Sequence, residues 1–308
     1  MNHLESSFAG KNAFWRYFVM VAALFAAANT IGGIPLIIVL GIRSAADPRV
    51  ITQLAKDPND LSILGLDPNL YLVTMLFPFL IGLITFILLI KPLNERSLKS
   101  AINGSGSFRW NRFFVSGLVW IIISALYLVV SLKADPENFT LNNWSLSLIP
   151  LIIISLLLIP FQAAFEEILF RGYLMQGFTV LVRNRLFPLV MTSVLFALMH
   201  VLNPEVKEFG FLTMMPQYLL FGLIFGIITI LDDGVEAAMG AHAANNIFLC
   251  IMITNESSAL QTPALYKQLE VNPWTDFASM LIMGILVIFI LKLIFRKAEK
   301  NAPVAQMP

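Results

Sequence analysis

Apolar residues in this chain fall in long unbroken runs rather than in alternation or narrow stripes. A membrane-crossing helix needs about 20 mainly apolar residues, and runs at or near that length lie at 17–42, 70–90, 113–132, 146–165, 187–202, 211–231, 237–254 and 276–295. A further apolar helical stretch at 166–182 continues the fourth run. Nothing shows the ten-residue alternation of a membrane barrel, and lipid admits only helices and closed barrels. The pattern therefore predicts an all-α polytopic transmembrane helical bundle of about eight spans, read as one integral membrane domain over 1–308. The first run continues well past the small residues at 26–29, so it reads as a retained span rather than a removed signal.

Composition agrees with a membrane protein. Of 308 residues, 58% are hydrophobic and 13% charged, whereas a soluble domain carries about 25% charged residues. The mean hydropathy is +0.80. Net charge is +1, which gives no basic field for nucleic acid and leaves membrane lipid as the expected surrounding. The single cysteine, Cys250, excludes a disulfide framework and a CxxC metal site. Lys and Arg concentrate in connections on the side of the N-terminus, among them Lys11, Arg16, Lys91, Arg96, Lys99, Arg109, Arg112, Arg183, Arg185 and Lys292. By the positive-inside rule both termini are cytoplasmic. That arrangement puts the turn Leu231–Glu236 inside although it has no basic residue of its own. The polar, proline-punctuated 43–69 connection reads as an external loop with a short surface helix. Trp15, Trp110, Trp144 and Trp274 lie near span ends, where interfacial anchors belong. The tail after Lys297 reads as disordered.

Charged side chains at mid-bilayer cost roughly 2.5–3.5 kcal/mol each on insertion scales, so those present normally face partners or a cavity. Here they concentrate in three places: Glu166-Glu167-Ile168-Leu169-Phe170-Arg171, Phe196-Ala197-Leu198-Met199-His200 and His242-Ala243-Ala244-Asn245-Asn246. The remaining histidine, His3, stands in the polar N-terminal tail without such company. An antiparallel hairpin closing at Arg183 would set Glu166 and His200 each about 17 residues from the turn, roughly 25 Å at 1.5 Å per residue. They would meet at one depth, provided 166–182 is helical.

Within the first motif Glu167 and Arg171 are four apart and pair along one helix face. Glu166 points about 100° away. One carboxylate is thus neutralised and one is left over, and an unpaired carboxylate in a low dielectric is a stronger base than one in water. In the third motif His242 and Asn246 share a face one turn apart and offer two donors suited to an oxyanion. Asn245 is the less favoured partner. The Ala and Gly around them permit close helix packing.

These three motifs, EExxxR, FxxxH and HxxxN in order on hydrophobic segments, resemble those of the CPBP intramembrane proteases, the CAAX prenyl endopeptidases of the Ras-converting type and their bacterial relatives linked to bacteriocin processing and immunity. The resemblance covers about residues 146–254, which would be the catalytic core. It implies an integral, multi-pass protein of a cell membrane, bacterial by those relatives. It also implies an endopeptidase acting on a peptide bond near the end of a hydrophobic or lipidated protein or peptide. Glu166 and His200 would activate water, His242 and Asn246 would stabilise the tetrahedral oxyanion, Phe196 would pack beneath His200, and Glu167 and Arg171 would support the site. Two His and a Glu are also residue types that hold zinc. The absence of HExxH, and Asn being a poor zinc ligand, favour water activation without a metal or other cofactor.

Plainer readings stand beside these. Glu167 and Arg171 could merely fix register, Glu166 could be a second acceptor for Arg171, His200 a core histidine bonded to a carbonyl, and Asn246 an interhelical hydrogen bond. The rival function is a non-catalytic membrane protein, either a proton-coupled transporter or an immunity protein that acts by binding. Inverted repeats and matching broken helices would favour transport, and the sequence has neither.

Overall fold

The computed structural model describes residues 3–56, 61–104, 107–142 and 148–300. Its helices are α1 (Phe14–Thr30), α2 (Ile34–Ala46), α3 (Arg49–Lys56), α4 (Pro68–Asn94), α5 (Leu98–Ile102), α6 (Trp110–Ala134), α7 (Leu148–Glu167), α8 (Met175–Leu181), α9 (Leu186–Met199), α10 (Pro204–Phe209), α11 (Phe211–Asp232), α12 (Glu236–Met252) and α13 (Pro273–Lys300). Short strands β1 (Phe139–Leu141), β2 (Ile253–Thr254) and β3 (Tyr266–Gln268) form one sheet in the order β1-β3-β2. The β1-β3 pair is antiparallel and the β2-β3 pair parallel. The chain is an all-α helical bundle.

Each of the eight expected runs finds a helix, but six stretches among the described residues are long and apolar enough to cross a membrane. Of the runs read as spans, α9 has 14 residues and α12 has 17, and α12 is diluted by its polar motif. The 43–69 connection does contain a short helix, α3. Helix α13 runs on to Lys300, past the point where disorder was expected to begin. Trp144 and the tail from residue 301 lie outside the described residues.

Three features of this bundle build the site. First, α7 and α8 are one rod of 34 residues, Leu148–Leu181, joined by a π-helical segment at Ile168–Leu174. Such wide turns are rare and favour functional positions. The rod turns back at 182–185 into α9, which is the hairpin the sequence requires. Second, α12 packs closely on α6. A Cβ at Gly240 would stand 1.9 Å from the Phe113 carbonyl oxygen and 2.6 Å from Ser116 Oγ, so only glycine permits this approach. Third, the acidic 231–236 turn takes its cations from the start of α6. Arg109 Nη2 lies 2.6 Å from Glu236 Oε2 and 3.1 Å from Asp232 Oδ2, and Arg112 Nη1 lies 3.2 Å from Asp232 Oδ1. The turn without its own base is therefore at the same end of the bundle as the basic residues Arg109 and Arg112.

The N-terminal segment departs from expectation. His3 is not solitary in a polar tail: it is 1% exposed. Its Nε2 lies 3.0 Å from the carbonyl oxygen of Arg171 in the π-helical segment, and Gln176 Nε2 is 3.2 Å from its Nδ1. The following 3₁₀ turn, Leu4–Ala9, is tied down as well, with Ser7 Oγ donating to the Gln176 carbonyl at 3.3 Å. Nothing in the spacing of a lone tail histidine signals this, because its partners are backbone and amide groups about 170 residues away.

Replacement of Gly240 by Ala is expected to cost about 1–3 kcal/mol through overpacking. Gly41→Ala, where a Cβ meets nothing within 4 Å, is the control that should leave the thermal unfolding midpoint in detergent nearly unchanged. A second expectation concerns pH. Burial is the largest influence on His3 and holds its pKa below the ordinary 6.5, with Arg96 adding to the lowering, against the opposing pull of the Arg171 carbonyl, Asp233 and Glu236. A lowered value in the docked state means docking is at full strength above 6.5 and weakens as pH falls toward the docked pKa, since the released imidazole binds the proton more readily. Hydrogen-exchange protection factors over residues 4–9, corrected for the intrinsic rate at each pH, should fall on acidification, and His3→Gln should remove that dependence.

Candidate active site

Glu166 and Glu167 close α7, and the helical rotation between them sends the two carboxylates to different surroundings. Glu167 is fully buried. Its Oε1 accepts from Arg171 Nη1 at 2.9 Å, the i,i+4 pair that the spacing implies. The same oxygen lies 2.7 Å from His242 Nδ1 on α12. Arg171 donates further to the Gly222 carbonyl of α11 at 3.3 Å and lies 4.4 Å from the centre of the Phe196 ring. His242 stacks on Phe225 at 4.9 Å with an interplanar angle of 13°. Glu167 is therefore more than a counter-ion for Arg171: it joins α7, α11 and α12.

Glu166 has no cationic partner of that kind. Its Oε1 accepts from Gln162 Nε2 at 2.6 Å, while its buried Oε2 has no hydrogen-bond partner and lies 3.8 Å from His242 Nε2. A carboxylate can only accept, so the Nδ1 of His242 carries the proton toward Glu167, and Nε2 is the atom directed at Glu166.

Glu166 borders a cavity of about 870 Å³, and so do His200 and Asn246. His200 follows α9, where its Nδ1 lies 2.8 Å from the Phe196 carbonyl oxygen. A carbonyl only accepts, so Nδ1 is the protonated nitrogen and Nε2 is left to the cavity side. The His200 ring lies between Phe196, 4.7 Å away, and Tyr218, stacked at 4.4 Å. Arg171, Glu167 and His242 do not line the cavity; they sit behind its wall.

Asn246 donates from Nδ2 to Gln162 Oε1 at 2.9 Å and accepts from Asn245 Nδ2 at 2.9 Å. Asn245 in turn accepts from Trp120 Nε1 of α6 at 3.2 Å. A continuous series of hydrogen bonds thus runs from Trp120 through Asn245, Asn246 and Gln162 to Glu166. Sequence reasoning missed Gln162, although a polar residue four before Glu166 in an otherwise apolar run is a readable signal. It also missed Trp120, whose mid-span position sets it apart from the interfacial tryptophans. Tyr218 and Glu205 had no such signal. Tyr218 donates to Glu205, and Asn203 Nδ2 donates to Tyr218 Oη at 2.8 Å, all at the cavity.

Among the described residues no three His, Cys, Asp or Glu side chains converge closely enough to hold a metal ion. His242 commits Nδ1 to Glu167, and its Nε2 lies 3.8 Å from Glu166 Oε2.

An all-helical, integral multi-pass membrane protein with charged groups gathered inside the bundle is the class this architecture defines. Residues 144–248 match the family model of the type II CAAX prenyl endopeptidases, Rce1-like, which bears out the resemblance carried by the three motifs. The match contains Glu166, Glu167, Arg171, Phe196, His200, His242 and Asn246. The chain is also similar to the uncharacterized protein YyaK of Bacillus subtilis (strain 168), 28% identical over 285 residues, which cover 90% of this chain and 91% of that protein. No solved structure matches it.

The two carboxylates should respond differently to the same change. Glu167→Gln leaves the buried Arg171 facing a neutral group and is expected to cost about 3–5 kcal/mol. Glu166→Gln keeps the acceptor that Gln162 uses and should leave the unfolding midpoint close to the parent's. Thermal unfolding of both variants in detergent checks the contrast, and equal midpoints would contradict it.

Proposed function

We propose that this protein is an intramembrane endopeptidase that cuts a peptide bond near the end of a membrane-associated, hydrophobic or lipidated protein or peptide, and that residues 146–254 form the catalytic core of a single membrane domain. The observation that carries this reading is Glu166 Oε2: a buried carboxylate oxygen without a hydrogen-bond partner, at a cavity that His200 shares. A free carboxylate held in a low dielectric is suited to take a proton from water.

In the proposed reaction Glu166 accepts that proton and the hydroxide adds to the peptide carbonyl carbon. His200, with Nδ1 held by the Phe196 carbonyl, presents Nε2 to the same water or to the scissile amide. Asn246 spends one N–H on Gln162 and has a second to offer to the oxyanion. His242, which donates from Nδ1 to Glu167 and lies 3.8 Å from Glu166 Oε2 behind the cavity wall, holds the two carboxylates in place. When the tetrahedral intermediate collapses, the C–N bond breaks and the proton held by Glu166 passes to the leaving amine. Water activation in this scheme uses no resident metal, a choice supported by the commitment of both Nδ1 atoms, His200's to the Phe196 carbonyl and His242's to Glu167. The membrane-embedded setting and the family match support a substrate presented from lipid.

Glu166→Gln or His200→Ala is expected to lower cleavage of a fluorogenic prenylated peptide by at least about 100-fold, with insertion and folding retained. A metal chelator should leave the parent rate unchanged. Cleavage by Glu166→Gln at the parent's rate would overturn the mechanism and favour a binding or transport role.

A further inference from the structure

His200 stands where α9 ends. It caps the helix instead of lying within it, and its Nδ1 proton is spent on the Phe196 carbonyl four residues earlier. One hydrogen bond fixes one atom of an imidazole and leaves the ring free to swing about it, which would carry Nε2 out of the cavity. The two faces of the ring therefore decide its aim. One is covered by Phe196, a wall held in turn by the edge of Phe170 at 5.4 Å and by Arg171, 4.4 Å from its ring centre. The other is covered by Tyr218 of α11, stacked at 4.4 Å with an interplanar angle of 21°.

A phenylalanine at position 218 would supply the same face. The hydroxyl must answer to something else, because a polar group in an apolar interior is costly unless it is hydrogen-bonded. It donates to Glu205 and accepts from Asn203 Nδ2 at 2.8 Å, while Asn203 Nδ2 also lies 3.4 Å from Glu205 Oε1. A hydroxyl that donates on one side and accepts on the other is fixed in rotation, and the ring that bears it is held with it. Both partners follow His200 closely in the chain. Asn203 also donates its backbone N–H to the His200 carbonyl at 3.0 Å. The ring that covers the imidazole is thereby tied to the segment that carries the imidazole.

We propose that Tyr218 is a positioning residue: its ring keeps His200 Nε2 aimed into the cavity, and Glu205 and Asn203 act through it by fixing its hydroxyl. None of the three is assigned contact with the reacting atoms. What the aim serves is taken from the peptidase reading of the same site, whereas the aim itself rests on geometry alone.

The test follows the imidazole 15N resonances of the full chain in lipid bilayers, above the titration range of free imidazole. Those of His200 are assigned by their loss in His200→Ala. The parent should show His200 protonated at Nδ1 alone. Tyr218→Leu should give a ring exchanging between tautomers, with kcat for the fluorogenic peptide down about tenfold or more and KM within about threefold, since misplacing a catalytic group acts on the chemical step. Tyr218→Phe, which keeps the stack and loses the anchor, should fall between. Glu205→Leu should match Tyr218→Phe, and Glu205→Gln, which still offers an oxygen to the hydroxyl, should lie nearer the parent. Combining Tyr218→Phe with Glu205→Leu should be no worse than either alone. A side chain that merely fills space would lower the folded fraction without moving the tautomer. An unchanged tautomer and kcat in Tyr218→Leu overturns the proposal. Should the leucine variant not fold, Tyr218→Phe decides, because indifference of both readouts to loss of the hydroxyl overturns it equally. A parent that leaves the peptide uncut, with the tautomer still dependent on Tyr218, sinks the peptidase reading alone. A parent that cuts it, with both readouts indifferent to Tyr218, sinks the positioning role alone.

Discussion

The structure depends on one oxygen. Glu167 Oε1 receives Arg171 from its own rod and His242 from α12, in a place no solvent reaches. Each of these groups alone would be prohibitive in the interior, since an ion transferred from water without a partner loses several kcal/mol even after relaxation. Together they are tolerable, and the arrangement only closes if α7, α11 and α12 are all present. Arg171 extends the cluster to the Gly222 carbonyl and to the faces of Phe196 and Phe225. The cluster therefore specifies which helices meet and at what height, a role for which apolar side chains in lipid are poorly suited because tails and side chains attract them equally.

That closure has a consequence for the neighbouring carboxylate. Because Glu167 satisfies Arg171, Glu166 one residue earlier is turned to the cavity without a cation. The π-helical segment starting at Ile168 sits at the point where the rod passes from the paired charges to the N-terminal dock at His3, and its Arg171 carbonyl is the atom that His3 contacts. The end of the bundle that holds the N-terminal segment and the candidate site are thus connected through one rod.

The sequence made the bundle legible because lipid imposes a coarse rule, about 20 apolar residues to a span, that any of the eight runs can be measured against. The hairpin between Glu166 and His200 was equally legible from counting, and the Glu167–Arg171 pair from i,i+4 spacing. What counting could not show is which partner lies across a helix interface. His242 on Glu167, Trp120 on Asn245 and His3 on Arg171 each join residues 75 to 168 positions apart, and no periodicity within one helix encodes them. The short lengths of α9 and α12 were already present in their runs, 187–202 and 237–254, which fall below a full span, and α12 is diluted further by its polar motif. The placement of His242 behind the cavity wall was likewise beyond the motif, which fixes the face His242 shares with Asn246 but not the depth to which α6 draws that face inward.

On the proposed peptidase reading, the series from Trp120 to Glu166 holds the base still without neutralising it. Its two ends are chemically unambiguous, since an indole N–H only donates and a carboxylate only accepts. Every amide between them must then point the same way: Asn245 accepts from Trp120 and donates to Asn246, Asn246 donates to Gln162, and Gln162 donates to Glu166. A neutral relay of this kind fixes the plane of the Glu166 carboxylate through Oε1 and adds no positive charge that would weaken Oε2 as a proton acceptor. An arginine or lysine in place of Gln162 would hold the carboxylate equally well and make it a poorer base. On the proposed reading, carboxamides rather than cations along this face orient the buried glutamate and leave its second oxygen open.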